Sequence, residues 1–381
     1  MIPNAAAVVS AAPAGNKRYF FSDMMQRAAG LLYERGAELA IRMTGLGRKP
    51  RIAVINGIQD PALNLLAGLA GELVVQQHRR DTCLELQRAG HMIRREIREG
   101  PFDIVLVLSG RQREQTMGWI AGGARLLDGS SAPFGGVLVT SAANDMGARG
   151  YEKRLSQLSS QISVSSKSKC RLASLHGDDI EHPEVLDAWL AVAAPRQLAS
   201  GLISCPGVFS WDHPDAGSRL LLEHLPAELS GRGMDLGCGN GYLSHHVLSH
   251  YAGIKEWHAV DVDAVALDCA AQNLQGLNLK ETMGGRSVQT HWMDATRENM
   301  PGGMDVILLN PPFHRDKADL VSLGQAMIMA AKQSMDSSGS LFLVANRHLP
   351  YELLLYENFE QVRTLFDGDG YKVIRCDGVQ E

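Results

Sequence analysis

Short apolar runs recur along the chain, set between longer stretches of helical periodicity. In the first half they are "IAVINGIQDP" (Ile52–Pro61), "FDIVLVLSG" (Phe102–Gly110) and "GGVLVTSAAN" (Gly135–Asn144). In the second they are "GMDLGCGNG" (Gly233–Gly241), "EWHAVDVD" (Glu256–Asp263), "VQTHWMD" (Val288–Asp294), "MDVILLNPPF" (Met304–Phe313) and "GSLFLVAN" (Gly339–Asn346). Runs this short, bounded by turn residues and spaced by helical segments, predict buried strands joined by crossover helices, an α/β architecture with largely parallel sheets. The pattern is written twice. "FDIVLVLSGRQRE" matches "MDVILLNPPFHRD" in pattern, weakly residue by residue, and each is followed by a further strand, an Ala-Asn pair and then Tyr-Glu, at Tyr151-Glu152 and Tyr351-Glu352. The shared order and spacing predict an internal duplication. The Pro/Gly-bearing stretch after "DAWLAVAA" puts the boundary near Pro195, giving domains over 17–195 and 196–381 behind a disordered tail, 1–16.

A chain of 381 residues is too long for one ordinary core, so two domains also fit its length. With 45% hydrophobic and 21% charged residues, and no apolar run of membrane-spanning length, it reads as a soluble globular protein with no membrane partner. The N-terminal run lacks a basic residue ahead of its small apolar residues, so it reads as a tail and not a signal peptide. Six cysteines without a Cys-x-x-Cys pair suggest neither a zinc site nor a disulfide framework, and a reducing cytoplasm is expected. The net charge of −5 hides an asymmetry. Residues 17–171 carry 23 Lys+Arg against 14 Asp+Glu (23 − 14 = +9), and residues 196–381 carry 14 against 23 (14 − 23 = −9). A basic docking surface on the first half accounts for this, and so, equally well, do solvated helix faces.

Candidate chemistry sits in the second half. In "GMDLGCGNGYLSHHVL" a strand ends at Asp235-Leu236, Gly237, Gly239 and Gly241 make a tight turn, and a helix starts near Tyr242. Such a turn brings backbone N–H groups close to a ligand, although a tight strand-to-helix turn needs glycines anyway. The next strand ends at Asp261, 20 residues beyond Gly241 (261 − 241 = 20), where an acid is placed for a ribose hydroxyl pair. Asp235 precedes the first glycine. A carboxylate there repels a dinucleotide pyrophosphate but suits an ammonium group, such as the amino-acid end of S-adenosylmethionine. Asp294, on the same rim, is either an acceptor for an adenine amine or a helix N-cap.

Asn310-Pro311-Pro312-Phe313 ends another strand. Pro311 cannot donate to a sheet ladder and holds Asn310 in extended geometry. The stiff corner presents one amide and one ring. A planar exocyclic amine is a poor nucleophile until its N–H groups are bound; the Asn310 side-chain oxygen and the Pro311 carbonyl are placed to bind them, with Phe313 stacked on the base. Transfer of a sulfonium methyl needs in-line positioning and no metal.

The whole chain resembles the bacterial ribosomal RNA (guanine-N2)-methyltransferases of small-subunit and large-subunit type, within the class I S-adenosylmethionine-dependent methyltransferases. The residues that carry the resemblance are "PGVFSWDHPDAGSRLLLEHLP" (Pro206–Pro226), "DLGCGNGYLS" (Asp235–Ser244), "LLNPPFH" (Leu308–His314) and "VANRHLPYE" (Val344–Glu352), with "GARGYEKRL" and "SKSKCR" in the first half. The resemblance implies two tandem Rossmann-like methyltransferase domains, the first degenerate and the second catalytic. It implies cofactor contacts from Asp235, Gly237, Gly239, Gly241, Asp261, Asp294 and Asn310, and an amine site at Asn310, Pro311, Pro312 and Phe313. It implies methylation of a guanine N2 in ribosomal RNA, the partner being that RNA, a ribosomal subunit or an assembly particle, with no metal. It gives Phe209 and Asp215–Ser218 a place near the cofactor without a defined role. The first half departs from the pattern: "IAVINGIQDP" stands for the glycine loop and Ser109-Gly110-Arg111 for the amine motif. There, Arg79, Arg80, Arg94, Arg95, Arg111, Arg113, Lys153, Arg154, Lys167, Lys169 and Arg171 are candidates for holding RNA phosphates. Two alternatives remain at this point: an N-methyltransferase acting on a protein glutamine, and a non-catalytic RNA-binding assembly factor.

Overall fold

The computed structural model describes residues 20–45, 47–127, 136–277, 285–312 and 317–380. The expected tail, 1–16, lies outside the described residues, as does Phe313. In the first half the strands are β1 (Arg51–Ile55), β2 (Glu72–Gln76), β3 (Met92–Arg94), β4 (Ile104–Leu108), β5 (Val137–Ala143), β6 (Ser163–Lys167) and β7 (Cys170–His176). Its helices are α1 (Phe20–Thr44), α2 (Pro61–Leu69), α3 (Arg80–Arg88), α4 (Arg113–Ala124), α5 (Ala148–Leu155) and α6 (Pro183–Ala193). A two-stranded ladder, β8 (Arg196–Gln197) with β9 (Ile203–Ser204), follows. The second half has strands β10 (Ser230–Leu236), β11 (Gly253–Asp261), β12 (Ser287–Trp292), β13 (Met304–Leu309), β14 (Met335–Asn346), β15 (Phe359–Gly368) and β16 (Tyr371–Val379). Its helices are α7 (Ala216–Glu223), α8 (Tyr242–His250), α9 (Ala264–Leu274), α10 (Lys317–Ser334) and α11 (Glu352–Asn358).

The two halves are built alike. One sheet runs β3-β2-β1-β4-β5-β7-β6 and the other β12-β11-β10-β13-β14-β16-β15. In each, five parallel strands meet an antiparallel hairpin at one edge. The central strands are apolar on both faces because helices cover both. All five residues of β4 and all seven of β5 are buried, which accounts for an unbroken apolar run in β4, and one broken only by Thr140 and Ser141 in β5, where a half-exposed strand would alternate. The Tyr-Glu repeat is structural in both halves. Tyr151 and Tyr351 are buried, while Glu152 pairs with Arg171 of β7 and Glu352 with Lys372 of β16. Each pair ties the helix after the fifth strand to the edge hairpin.

Strand order reverses between β10 and β13, so the loops leaving their carboxyl ends diverge and leave a crevice there, the usual ligand position in a doubly wound sheet. The glycine turn leaves β10 and Asn310 follows β13, so both sequence motifs reach that one crevice.

Candidate active site

Gly237, Gly239 and Gly241 have φ values of +80°, +55° and +82°, the left-handed region that strains other residues. Their roles differ. A Cβ on Gly239 would point into open space, whereas one on Gly241 would press on Ala270 of α9 at 3.1 Å. Gly239 therefore faces open space and Gly241 allows helix packing. The Gly239 N–H donates to Asp261 Oδ2 at 2.8 Å, and the Asp263 N–H donates to Asp261 Oδ1 at 2.8 Å. Asp261 so fastens the glycine turn to the end of β11, while each oxygen keeps a lone pair for a ligand. Burial lifts its carboxyl to about 6.

Asp235 is 1% exposed. Its Oδ2 accepts from the Ser244 N–H (3.0 Å) and hydroxyl (2.6 Å), and Ser244 Oγ in turn accepts from Trp257 Nε1 at 2.9 Å. Its Oδ1 is buried without a partner. Burial raises this carboxyl to about 7, against the bonds from Ser244 and with a contribution from Asp261. An unpartnered buried acceptor costs on the order of 1–3 kcal/mol, so it marks a place where a donor is expected to arrive.

Asn310 shows the same feature in a sharper form. Its Nδ2 donates to Asp215 Oδ2 at 2.8 Å and to Ser218 Oγ at 2.8 Å. A carboxylate oxygen only accepts, so the amide nitrogen must face Asp215 and the carbonyl oxygen must face the other way. That oxygen, Oδ1, is buried and unpartnered. Asp215 is itself fixed, because the same Oδ2 caps α7 through the Ser218 N–H at 2.8 Å. The role that the sequence left open for Asp215–Ser218 is thus to orient Asn310. Pro311 is buried behind the amide and Pro312 is exposed.

A cleft gathers Phe209, His213, Asp215, Gly239, Asn240 and Asn310. Asp261 and Asp294 do not line it. Asp261 stands behind Gly239. Asp294 is capped into its own turn: Oδ1 accepts from the Thr296 N–H (3.0 Å) and hydroxyl (2.7 Å), and Oδ2 lies 3.4 Å from Arg297 Nε. Asp294 therefore caps a turn, and no helix begins there among the described residues, so it is not the helix N-cap that the sequence suggested.

The basic residues of the first half need sorting. Arg80 clamps Glu298 with both Nε and a terminal nitrogen, Arg95 reaches both oxygens of Asp268, and both guanidinium groups lie over Trp292. Arg79 pairs with Asp81, Lys167 with Glu34 and Arg171 with Glu152. These five engage acids, and Arg80 and Arg95 join the halves. The charge split is thus partly used up between the domains, which composition could not show. Arg94, Arg113, Lys153 and Lys169 are exposed.

A family model described as the methyltransferase small domain matches residues 200–375. The second half resembles a methyltransferase small domain. A ribosomal RNA small subunit methyltransferase C of Acinetobacter baylyi is 30% identical over 230 residues, covering 60% of this chain and 66% of that relative. Its namesake in Psychromonas ingrahamii is 34% identical over 175 residues, 46% and 48% of the two chains. The chain spans just under two thirds of the length of the first and about half of the second. A solved T. thermophilus 16S rRNA N2 methyltransferase, in complex with AdoMet and guanosine, superposes with a TM-score of 0.69 at 25% identity, covering 86% of this chain and 88% of that one. That coverage takes in both halves: the fold is two tandem Rossmann-like methyltransferase domains, and the resemblance to bacterial ribosomal RNA (guanine-N2)-methyltransferases holds. No helix among the described residues is long and apolar enough to cross a membrane.

Proposed function

We propose that residues 196–381 transfer a methyl group from S-adenosylmethionine to the exocyclic N2 of a guanine in small-subunit ribosomal RNA, and that residues 17–195 dock that RNA. The observation that carries this reading is the buried, unpartnered Asn310 Oδ1, held in one orientation by Asp215 and Ser218. The 16S substrate of the T. thermophilus structure and the names of the curated relatives support the RNA class. A cytoplasmic location goes with that substrate.

The residues present fit the cofactor. Gly239 leaves the space a Cβ would fill, and Asp235 Oδ1 is a buried acceptor with no donor, suited to an ammonium group. Asp235 and the glycine turn would hold the amino-acid end and Asp261 the ribose. Asp294 stands on the rim assigned to adenine. S-adenosylmethionine, when bound, supplies a methyl group on a sulfonium, which leaves readily without metal help. The protein's part is to make a weak nucleophile attack. Asn310 Oδ1 and the Pro311 carbonyl accept the two N–H groups of the guanine amine. Its lone pair is then withdrawn from the ring and aimed across the crevice between β10 and β13. Phe313, outside the described residues, is assigned to stacking on the base. A guanine stacked in RNA must leave its stack to reach Asn310, at a cost of a few kcal/mol that docking offsets.

The test is to incubate the protein with methyl-labelled S-adenosylmethionine and either small-subunit ribosomal RNA or protein extract. Label recovered as N2-methylguanosine is expected. Label on glutamine, or none with cofactor bound, refutes the proposal in favour of a protein methyltransferase or a non-catalytic binding protein.

A further inference from the structure

The halves meet through equivalent turns. Arg79 stands at the N-cap position of α3, the helix after β2, without a side-chain cap bond, and Asp263 caps α9, the helix after β11, so the two residues hold the same position in the duplicated plan. They form an antiparallel bridge. The Arg80 N–H donates to Val262 O at 2.8 Å and the Ala264 N–H donates to His78 O at 2.9 Å, a reciprocal pair about a pseudo-two-fold axis. Trp292 Nε1 closes the junction by donating to both His78 O (3.1 Å) and Val262 O (2.9 Å). On the second-half side, this bridge begins one residue after Asp261. On the first-half side, Gln77 stands where Asp261 stands, and it donates through Nε2 to Gly57 O at 2.9 Å. The degenerate half has closed its own turn with an amide and laid the next residues against the working one.

We propose that Arg79 of the degenerate half is a positioning residue for the cofactor site of the other half: its backbone sets the turn that carries Asp261, and its guanidinium supplies the counter-charge for that carboxylate. The inference rests on the reading of Asp261 as a cofactor acid. Charged and titratable groups surround Asp261 from each neighbouring element. Asp235 of β10 and Asp263 of its own turn are acidic, and burial keeps the Cys238 thiol of the glycine turn protonated; Arg79 comes from the first half beside His78 and Asp81. Three carboxylates, Asp235, Asp261 and Asp263, thus crowd one rim. Burial and Asp263 push the Asp261 carboxyl up, while the N–H groups of Asp263 and Gly239, and Arg79, pull it down. Burial works against the Arg79 cation, and Asp81, Asp263 and Asp261 more than offset it. Arg79 also gives Asp81 a 2.7 Å ion pair, so that acid competes for it.

The experiment uses the full chain labelled with carboxyl-¹³C aspartate, the Asp261 signal being assigned by its loss in Asp261→Asn. Carboxyl titration of the apo protein is read beside calorimetric binding of S-adenosylmethionine. In Arg79→Gln, whose backbone bridge is intact, the Asp261 midpoint is expected to rise by about one unit, as for loss of a neighbouring opposite charge. The Kd should weaken about twofold at pH 7 and return toward the wild-type value at pH 9, where the carboxyl is ionised regardless. Arg79→Lys should restore both. Asp81→Asn, which leaves Arg79 in place and removes its competitor, should move the midpoint down. An Asp261 midpoint that ignores both Arg79→Gln and Asp81→Asn overturns the proposal, as does a weakening that is equal at pH 7 and pH 9 and not rescued by lysine. A wild-type protein that binds no S-adenosylmethionine overturns the proposed function instead, since the apo titration reads the Arg79–Asp261 coupling by itself.

Discussion

Replacing Asn310 by alanine removes one atom that the proposed reaction needs, Oδ1, and one that the fold uses, Nδ2. The second loss is tolerable. Asp215 Oδ2 still accepts from the Ser218 N–H, and α7 keeps its cap. The Ser218 hydroxyl loses a partner but lies beside the open cleft, where water can replace it. The fold should therefore lose no more than about 1 kcal/mol, the net worth of a typical hydrogen bond. The loss of Oδ1 acts on the transition state. As the guanine amine begins to bond to the methyl group, its N–H groups become more acidic and bind a fixed acceptor more tightly. An oriented contact that strengthens in this way contributes about 2.7–4 kcal/mol, a factor of about a hundred to a thousand in rate. Single-turnover transfer, with enzyme in excess over RNA, isolates that step from product release. Calorimetry with S-adenosylmethionine should show its affinity little changed, because Asp235, Gly239 and Asp261 remain. Near-normal turnover would refute the reasoning. So would an equal loss in rate and cofactor affinity, which would make Asn310 a cofactor ligand and not the amine acceptor.

Four further outcomes follow. Asp235 must be ionised to hold an ammonium group, and burial puts its carboxyl at about 7, so S-adenosylmethionine affinity should rise as pH increases through 7. Stability of the apo protein should run the other way: its raised pKa means the native state holds a proton that the unfolded state has released, so stability falls between pH 4 and 7, and Asp235→Asn should flatten that slope in thermal melts. Arg80→Glu, facing Glu298 across the domain junction, should lower Tm by several degrees, and adding Glu298→Arg should recover most of it; a double variant no better than the single one would mean that the pair does not hold the halves together. Arg113→Glu with Lys169→Glu should weaken ribosomal RNA binding and reduce the slope of log affinity against log salt by about two, with cofactor affinity unchanged; an unaltered salt slope removes these residues from the docking surface.

Much of the fold is legible because a duplicated α/β chain repeats its signals. Buried strands such as β4 leave unbroken apolar runs, and glycines that need positive φ stand out at the end of β10. The site was half legible. Gly237, Gly239, Asp261 and Asn310 are local features, each readable from its neighbours in the chain. The orientation of Asn310 is not local. It depends on Asp215, 95 residues away, and on a helix cap that looks like any other Asp before a helix. For Asp294, the Asp-x-Thr spacing within one turn was the available signal for capping. The Arg79 bridge had no signal in sequence at all, because it follows from how two equivalent turns are set against each other.

The charge split shows why composition misleads in a duplicated protein. An excess of base in one half and acid in the other suits a nucleic-acid partner, but it equally suits the other half. Arg80 with Glu298 and Arg95 with Asp268 belong to the second kind of use, and Arg297 reaching Glu85 reverses the direction of charge while serving the same junction. What is left for RNA is then a matter of place. Arg113 opens α4 just beyond β4, and Lys169 sits in the hairpin whose carbonyl takes the Asn144 N–H just beyond β5. Both lie at the carboxyl ends of the first sheet, where the degenerate half would once have bound its own ligand. A half that has closed its cofactor turn with Gln77 keeps that rim available for phosphate contacts, which need positive charge and exposure but no pocket. Under the proposed function the first half serves two partners with two sets of basic residues: arginines at the junction that engage the neighbouring domain, and exposed ones at the strand ends that would meet RNA.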